Sequence, residues 1–439
     1  MTSLLIIVCV VQFIHYIWYI VSVRLKNGFI IDFWAFQLLI NNVIFYFMFY
    51  PFAKAVENEG ATGGSQFMIA KQVDLALIIV TVGYISMWLG KYFYNHKNNR
   101  FIVTGNFEIW YLAGVVKRII NSKNALWVLF IIFSPCFLFV AYQALTSGAL
   151  LGARDSLGES STERPLYNIA VSVYPIFISI LGVLYLAHKK KIYLIGFLMV
   201  FGFSFIFGSR GAAFGSLSVL MFFYITSKGR NIGWSKILVM GAGLIAAVLG
   251  FGILRSGETK VTGSDIVTSL IYGNTFSDLR DFAWVLSDWN HQLILGKTHF
   301  SGLISFIPSG ISEFRSEWAL GKVTTRIAGL TDSYHGGLRL TIFGESYINF
   351  GLIGVIIFSL TYGYFLQEIN RKVMYYIKNK QMIEAYAMSL MSVIIFSFMI
   401  TSGFFAIYAI FLPMIVLTWA LNKTYKRQNF YIKSESFRG

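Results

Sequence analysis

Hydrophobic residues are arranged along this chain in long runs that polar segments separate. Eleven of these runs, most of about 17 to 25 residues, are long enough for a membrane-spanning helix. They cover residues 3–23, 30–50, 72–92, 125–147, 166–187, 192–208, 211–227, 237–254, 340–366, 383–402 and 404–421. The pattern predicts an all-α, polytopic membrane protein with about 11 transmembrane helices.

The sixth and seventh runs are separated only by Arg210 and its small neighbours, in the stretch "FGFSFIFGSRGAAFGS". A single helix over residues 192–227 would be about 54 Å long, whereas the hydrocarbon core of a bilayer is about 30 Å thick. Two short helices with a turn at Arg210 fit that thickness. The second helix begins at this turn, and its free amides favour an anion there. Arg210 is therefore either a phosphate ligand or an arginine that anchors the hairpin to lipid headgroups.

The charge of the chain is strongly basic, with 36 Lys and Arg against 20 Asp and Glu and a formal net charge of +16. If the spans alternate in direction, 23 of the 36 basic residues lie on one side, which the positive-inside rule identifies as cytoplasmic. The N-terminus and the Arg210 turn are then outside, and the C-terminus is inside. The basic excess is a topology signal and requires no nucleic-acid partner. Cys9 and Cys136 both lie in predicted spans and indicate no disulfide framework.

This topology divides the chain into four regions. Residues 1–254 hold the first eight predicted spans with the outer hairpin at Arg210, residues 340–421 hold the last three, and residues 422–439 form a basic cytoplasmic tail. Residues 255–339 form a large extracytoplasmic segment, too long for a simple connection and therefore expected to be functional.

Two stretches of this external segment have apolar residues at helical spacing and predict a small helical cap on the outer membrane surface. The first is "NTFSDLRDFAWVLSDW" at 274–289, and the second covers residues 303–314 around Pro308. On the inner side, residues 101–124 predict an interfacial helix.

A second constellation follows in "YHGGLRLTIFGESYINFGLIGVIIF", residues 334–358, which carries His335, Arg339 and Glu345 into a late span. A histidine titrates near neutral pH and is suited to general acid or base chemistry. Glu345 lies inside the outer interface, where an ionisable group is expected to face protein or water rather than lipid. Glu345 is either a functional carboxylate or a structural partner for a buried arginine. His335 is either an acid or base in the reaction or an exposed loop residue.

Together, "FGSRGA" at an outer hairpin, a long late external segment and His-Gly-Gly before "GESYINFGLIGV" resemble the Wzy-type O-antigen or capsule repeat-unit polymerases. The chain is more distantly similar to the O-antigen ligases. The resemblance implies a GT-C-like membrane fold in which outer-face arginines hold an undecaprenyl diphosphate. The arginines that this implies as diphosphate ligands are Arg210, Arg339, Arg255, Arg280 and Arg315.

The resemblance also implies roles for other outer-face residues. His335 matches a ligase-like histidine before a late span and is the first candidate for the base, with Glu345, Asp281 and Asp332 behind it. Aromatic residues that either stack on sugar rings or fill the core of the cap are Trp284, Trp289, Trp318 and Tyr334. The nearest approach to an acidic metal pair is "ENE" at 57–59, which a solvated loop explains better. We expect no metal and no cofactor.

The implied activity is that of a glycosyltransferase. A growing glycan on undecaprenyl diphosphate is transferred to the non-reducing end of another lipid-linked repeat unit at the outer leaflet, and undecaprenyl diphosphate leaves. The implied location is a bacterial inner membrane, with the active site facing the periplasm. The implied partners are the lipid-linked oligosaccharide, membrane lipid and a chain-length regulator protein. The alternatives are an O-antigen ligase and a transporter or flippase for lipid-linked oligosaccharides, although charges deep in the predicted spans are few for a transporter.

Overall fold

The structure is a computed structural model. It describes residues 2–55, 57, 61–63, 66–68, 71–98, 110–146, 164–204, 210–229, 232–256, 277–330 and 337–436. Nearly all of this part of the chain is helical, since apolar segments satisfy their backbone hydrogen bonds internally only as helices or closed barrels. One short antiparallel pair of strands, Ala61–Gly63 and Gln66–Met68, is the exception within the described residues.

The first helices in chain order are α1 (Thr2–Asn27), α2 (Phe33–Leu38), a π-helix (Leu39–Met48), α3 (Tyr50–Ala55), α4 (Val73–Asn98), α5 (Tyr111–Asn121), α6 (Lys123–Thr146), α7 (Arg164–His188), α8 (Lys191–Phe203), α9 (Arg210–Lys228) and α10 (Trp234–Ser256). The cap region then forms α11 (Asp278–Asp288), α12 (Lys297–Leu303), α13 (Glu313–Trp318) and α14 (Leu320–Ile327). The last helices are α15 (Gly344–Lys378), α16 (Met382–Ser389), α17 (Met391–Ser397), a 3-10 turn (Thr401–Gly403) and α18 (Phe404–Ser436).

The helices confirm a polytopic membrane protein. Within the described residues, six helical segments are long and apolar enough to cross a membrane. They are Ser3–Lys26, Val73–Lys97, Lys123–Thr146, Pro165–His188, Gly344–Lys378 and Thr401–Lys423. Shorter apolar helices cover Lys191–Phe203, Trp234–Leu244 and Met382–Ser397. Each of the eleven predicted runs lies mainly on helix wherever the structure describes it, and α8 and α9 are separate helices, as the length argument at Arg210 predicted.

Two compact units make up the chain, and each is assembled from segments that are distant in the sequence. The first contains Met1–Val103, Ser218–Lys378 and Ser392–Phe405. The second contains Thr104–Leu217, Asn379–Met391 and Ala406–Gly439. The predicted cap, residues 255–339, belongs entirely to the first unit, which therefore holds most of the candidate site.

In the first unit, α4 and α15 pack against each other along their length. Their backbones approach so closely that a Cβ atom on Gly90 would overlap the carbonyl oxygen of Leu360, and one on Gly363 would overlap that of Met87. Small residues at a helix interface permit this close approach. The van der Waals packing that results stabilises helix pairs in lipid, where no hydrophobic driving force acts between helices. The pair forms the central support of the unit.

The predicted span 340–366 is not one continuous helix, because α15 is interrupted at Gly351. This residue has φ 66° and ψ −158°, a conformation that is essentially confined to glycine. The interruption frees the carbonyl groups of Ile348 and Asn349, which accept hydrogen bonds from the backbone N–H groups of Ile294 (3.1 Å) and Leu295 (3.0 Å). These hydrogen bonds attach the N-terminal turns of α15 to the cap.

The predicted span 30–50 is likewise divided, into α2, the π-helix and α3. Asp32 caps the start of α2 by accepting a hydrogen bond from the N–H of Ala35 at 2.8 Å. On the π-helix, the Tyr46 hydroxyl accepts a hydrogen bond from the backbone N–H of Ile342 at 2.9 Å. π-Helical geometry is rare and frequently lies at functional sites. Here it brings an early span against the residues that lead into α15.

The second unit contains the amphipathic helix α5, part of the interfacial helix predicted at 101–124. The apolar face of α5, which includes Ala113, Val116 and Ile120, is buried, and the helix packs on α6 and α16. An ion pair of 3.0 Å between Lys117 and Glu384 reinforces the contact with α16. Residues 101–109 lie outside the described part of the chain.

Candidate functional site

The central helix of the cap is α11, which confirms the helix predicted within 274–289. Residues 279–286 are buried on every side of this helix, so it is enclosed rather than laid on a surface. Trp284 and Trp289 are 6% and 7% exposed. The Trp289 indole N–H donates to the carbonyl of Gln292 at 3.1 Å, and its ring packs edge-on against Tyr347. Both indoles fill the interior of the cap in this structure.

The second predicted stretch of cap helix, 303–314, is wrong in its position. Residues 304–312 form turns, and the helices α12 and α13 flank them. Pro308 explains the difference, because proline lacks a backbone N–H and disfavours helical geometry in the residue before it. The Arg315 guanidinium on α13 donates to the carbonyl of Ile307 and closes this loop. Partial burial lowers the pKa of Arg315 from its ordinary value.

Two of the predicted arginines, Arg280 and Arg339, meet around a pair of carboxylates, and we call these four residues the acid–arginine cluster. The Arg280 guanidinium lies 3.6 Å from Oδ1 of Asp281, and Nη1 of Arg339 lies 3.8 Å from Oδ1 of Asp278. Asp281 also accepts a hydrogen bond from the Ser277 hydroxyl at 2.8 Å and one from the backbone N–H of Arg339. Asp281 thus joins α11 to the segment that leads into α15.

The two arginines of the cluster differ in exposure. The side chain of Arg280 is 6% exposed, whereas that of Arg339 is 53% exposed. Arg280 and its neighbour Asp281 are buried together, which satisfies the requirement that a buried charge be paired. Arg339 is held by its backbone N–H and by Asp278, and about half of its side chain is exposed. Of the predicted arginines whose side chains the structure describes, it is the most exposed.

The carboxylates of the cluster have raised pKa values. Burial raises the pKa of Asp278 to about 6; the negative charge of Asp281 adds to this effect and the Arg339 guanidinium opposes it. Burial also raises the pKa of Asp281, against the opposing effects of Arg280, Ser277 and Arg339. Asp278 was not among the predicted site residues. Its spacing of three from Asp281 was the available signal, because residues i and i+3 share one face of a helix.

Glu345 lies beside the cluster in sequence but in a separate network. It is fully buried, and its carboxylate accepts hydrogen bonds from the hydroxyl groups of Thr298 (2.7 Å) and Thr401 (2.5 Å) and from the backbone N–H of Thr401 (2.8 Å). Asn349 donates to the Thr298 hydroxyl at 2.7 Å. These contacts join α12, α15 and the 3-10 turn at Thr401–Gly403. The partners of Glu345 are therefore hydroxyl and amide groups rather than the buried arginine that the sequence suggested as one alternative.

The remaining predicted site residues divide into two groups. His335, Tyr334 and the base candidate Asp332 lie outside the described residues. Arg210 is the first residue of α9, and Arg255 lies at the end of α10, while their side chains also fall outside the described part. The residues just before Arg210 are outside the described part as well, so the helix start predicted at Arg210 stays a prediction, whereas the structure brings Arg280 and Arg339 together. It places Arg315 on a separate helix of the cap.

The acidic residue of "ENE" that the structure describes is Glu57, which forms an ion pair with Lys54 and accepts a hydrogen bond from the N–H of Val73 at 3.4 Å. Its carboxylate therefore anchors α3 to the start of α4. In the part of the chain that the structure describes, no group of three or more His, Cys, Asp or Glu side chains is placed to hold a metal ion.

Comparison with known proteins identifies the family. The model of a family described as "Putative O-antigen polymerase" matches residues 38–412, which is most of the chain. The match begins next to the π-helix and includes the whole cap, the acid–arginine cluster and Glu345. No curated protein and no solved structure matches the chain. The chain belongs to the O-antigen polymerase family.

Proposed function

We propose that the protein elongates a glycan by transferring it from undecaprenyl diphosphate to the non-reducing end of another lipid-linked repeat unit at the outer leaflet. The family supports a polymerase role in O-antigen synthesis and a lipid-linked oligosaccharide substrate. The observation that carries the finer proposal is the acid–arginine cluster, in which the half-exposed side chain of Arg339 lies 3.8 Å from the carboxylate of Asp278. Arginine pairs with a diphosphate in a bidentate manner and keeps its charge at every accessible pH.

The proposed transfer is a displacement at the anomeric carbon of the donor sugar. A hydroxyl oxygen of the acceptor repeat unit forms the new bond to this carbon, and the bond from the carbon to the diphosphate oxygen breaks. The electron pair of the broken bond leaves with undecaprenyl diphosphate, and the hydroxyl proton passes to a base. Negative charge grows on the leaving diphosphate, so a fixed cation that faces it lowers the barrier.

In this proposal, Arg339 binds the diphosphate directly. Arg280 is buried beside Asp281 and contributes by positioning α11 and the Arg339 segment. Arg210, Arg255 and Arg315 are proposed as further diphosphate ligands from other parts of the outer face. For Arg210, the helix start predicted from the sequence supports this role, because the amides of a first helical turn favour anions.

We propose His335 as the base, with Asp278 as the nearest described alternative. The Asp278 carboxylate lies 3.8 Å from Nη1 of Arg339, and burial raises its pKa to about 6, which suits proton transfer near neutral pH. Glu345 remains a weaker candidate because three hydrogen bonds already occupy its oxygens. For the glycan, Tyr334 is proposed as a stacking residue. Trp284 and Trp289 would reach a sugar only if the cap rearranged.

The architecture, orientation and partners of the protein complete the proposal. The charge distribution supports an outward-facing cap, and with it a periplasmic active site in a bacterial inner membrane. A GT-C-like architecture and a chain-length regulator as partner remain proposals that rest on the family resemblance. The proposed reaction needs no metal or cofactor, since arginines supply the positive charge.

The test is an elongation assay with purified protein and undecaprenyl-diphosphate-linked repeat units. We expect longer polyprenyl-linked chains and free undecaprenyl diphosphate, and we expect Arg339→Ala to slow elongation by about 100-fold or more, as for the loss of one transition-state donor. Arg326→Ala is the matched control, because Arg326 is also half-exposed, at 51%, and lies 3.8 Å from the carboxylate of Glu317, but it is not one of the four residues of the acid–arginine cluster. It should retain near wild-type activity.

Three outcomes would contradict the proposal. Equal activity of Arg339→Ala and wild type removes the proposed role of Arg339. Transfer of glycan to a lipid-core acceptor without elongation identifies a ligase. Movement of lipid-linked units across a vesicle membrane without either product identifies a flippase.

A further inference from the structure

A second charged region lies in the first unit at the end opposite the cap. It is a cavity of about 870 Å³ between the C-terminal parts of α1, α4 and α15. Four basic residues line it, namely Lys26, Lys91, Arg371 and Lys378, against a single acidic residue, Asp32. The charge distribution predicts that this end faces the cytoplasm. The proposed polymerase site does not use it.

The one acidic residue of the cavity is already engaged. Asp32 is 4% exposed, and its carboxylate accepts hydrogen bonds from the Tyr19 hydroxyl (2.6 Å), the Ala35 N–H (2.8 Å) and the Asn370 side-chain amide (3.2 Å). Its oxygens are thus occupied in capping α2 and in joining α2 to α15. The cavity therefore presents a positive surface to any molecule that enters it.

Lys91 is the most deeply buried of the four basic residues that line the cavity. It is 7% exposed, and its ammonium lies 3.7 Å from the centre of the Tyr19 ring and 4.6 Å from those of Trp34 and Trp88. It donates a hydrogen bond to the Tyr19 hydroxyl. In the described part of the chain, no carboxylate lies within ion-pair distance of this ammonium, which has three N–H donors. The aromatic rings hold the cation at the wall of the cavity and leave donor capacity for a ligand.

The mouth of the cavity has the character of a membrane interface. Trp18 and Tyr92 line it and are 63% and 61% exposed, and aromatic side chains of this kind collect at the level of lipid headgroups. The basic rim residues Lys26 and Lys378 are exposed close to the ends of α1 and α15. Above the rim, α1 presents a largely apolar and exposed surface, to which acyl chains can pack.

We propose that this cavity binds the headgroup of an anionic phospholipid from the cytoplasmic leaflet. The phosphate oxygens accept hydrogen bonds from Lys91 at the wall and interact with Lys26, Arg371 and Lys378, while the acyl chains remain in the bilayer beside α1. Basic pockets between spanning helices on the cytoplasmic side recognise such headgroups. The site is independent of the polymerase proposal, so either one can fail without the other.

The experiment measures lipid binding by the full-length protein in detergent, with native mass spectrometry during titration of phosphatidylglycerol or phosphatidylcholine. We expect selective retention of phosphatidylglycerol. Removal of both rim charges in Lys26→Gln/Lys378→Gln should weaken its binding by about 30-fold, at about one kcal/mol per basic residue near the surface. These residues are exposed, so the variant is expected to fold. Lys91→Met should also weaken phosphatidylglycerol binding. If Lys91→Met does not fold, the rim variant Lys26→Gln/Lys378→Gln still tests the proposal.

The matched control is Lys190→Gln/Lys191→Gln, which removes two exposed lysines that do not line the cavity. It should bind phosphatidylglycerol as the wild type does. The proposal is overturned if the rim variant also binds like the wild type, if the control weakens binding equally, or if phosphatidylcholine binds as tightly. Displacement of bound phosphatidylglycerol by millimolar inorganic phosphate would assign the cavity to a soluble phosphate compound instead.

Discussion

The two ends of the first unit hold positive charge in different ways. In the acid–arginine cluster, the guanidinium groups of Arg280 and Arg339 face carboxylates. In the cavity at the other end, the ammonium of Lys91 faces three aromatic rings and a hydroxyl group. A carboxylate fixes an arginine in direction and neutralises part of its charge. An aromatic enclosure fixes a lysine in place and leaves its charge to be neutralised by an anion from outside.

This difference matches the tasks that we propose for the two regions. A transition state requires a cation that is positioned before charge develops. Arg339 is positioned in this way, because its guanidinium pairs with Asp278 and its backbone N–H donates a hydrogen bond to Asp281. A lipid headgroup requires a cation whose charge is left to be neutralised by the lipid phosphate. The contrast gives three predictions, ordered from the largest expected effect to the smallest.

The largest effect is expected for Asp281→Asn. This substitution removes the carboxylate that lies 3.6 Å from the buried Arg280 guanidinium, and breaking a buried ion pair lowers the free energy of unfolding by about 3–5 kcal/mol. Lys91→Met loses cation–π attraction of about 2 kcal/mol or less and the hydrogen bond to Tyr19, but it also removes the cost of burying an ammonium group, so its net effect is expected to be smaller. The measurement is the shift in thermal unfolding midpoint of both variants in the same detergent. Equal shifts would remove the distinction between the two regions.

The second prediction concerns pH. Because burial raises the pKa of Asp278 to about 6, the folded protein binds a proton there more tightly than the unfolded chain does. This contribution to stability is complete below the unfolded pKa and is lost as the pH rises through about 6. Wild type should therefore lose up to about 3 kcal/mol relative to Asp278→Asn between about pH 4 and pH 7. Chemical denaturation of both proteins across this range measures the difference, and a constant difference contradicts the prediction.

The smallest effect is expected for Gly351→Ala, which tests the helix break that belongs only to the capped end of α15. An alanine at φ 66° and ψ −158° is strained by about 1–3 kcal/mol. The nearest atom to an added Cβ, Cδ2 of Leu293, is 3.9 Å away, so steric overlap does not contribute. Gly243→Ala in α10 is the control, since it has open space in a helix and should stabilise by about 0.5–1 kcal/mol. Thermal unfolding compares the pair, and shifts of the same sign would contradict the strain argument.

The sequence predicted the spans well because their signal is local. Each helix that crosses a membrane must be apolar over its own length, and this requirement is visible without knowledge of its neighbours. The separation of α8 from α9 followed from length alone. The break at Gly351 did not, because "INFGLIGVIIF" is apolar on both sides of that glycine and the backbone partners Ile294 and Leu295 are distant in sequence.

The site was predicted in part for a related reason. Arg280 and Arg339 were recognised as outer-face cations, but their convergence on Asp278 and Asp281 depends on the packing of α11 against the entry to α15. The aromatic residues show most clearly what the sequence alone could not predict about the site. Helical spacing in α11 identified one apolar face, whereas residues 279–286 are buried on all faces, so the spacing could not distinguish a sugar-facing Trp284 from a packed one.

The close contact between α4 and α15 also determines when the first unit can assemble. Gly90 is synthesised long before Gly363, yet each needs the other's helix to cover its exposed backbone. During biosynthesis, the glycine surface of α4 therefore lacks the α15 surface that covers it until most of the chain has been synthesised. Completion of this unit is for that reason a late step, after insertion of the last third of the protein has begun.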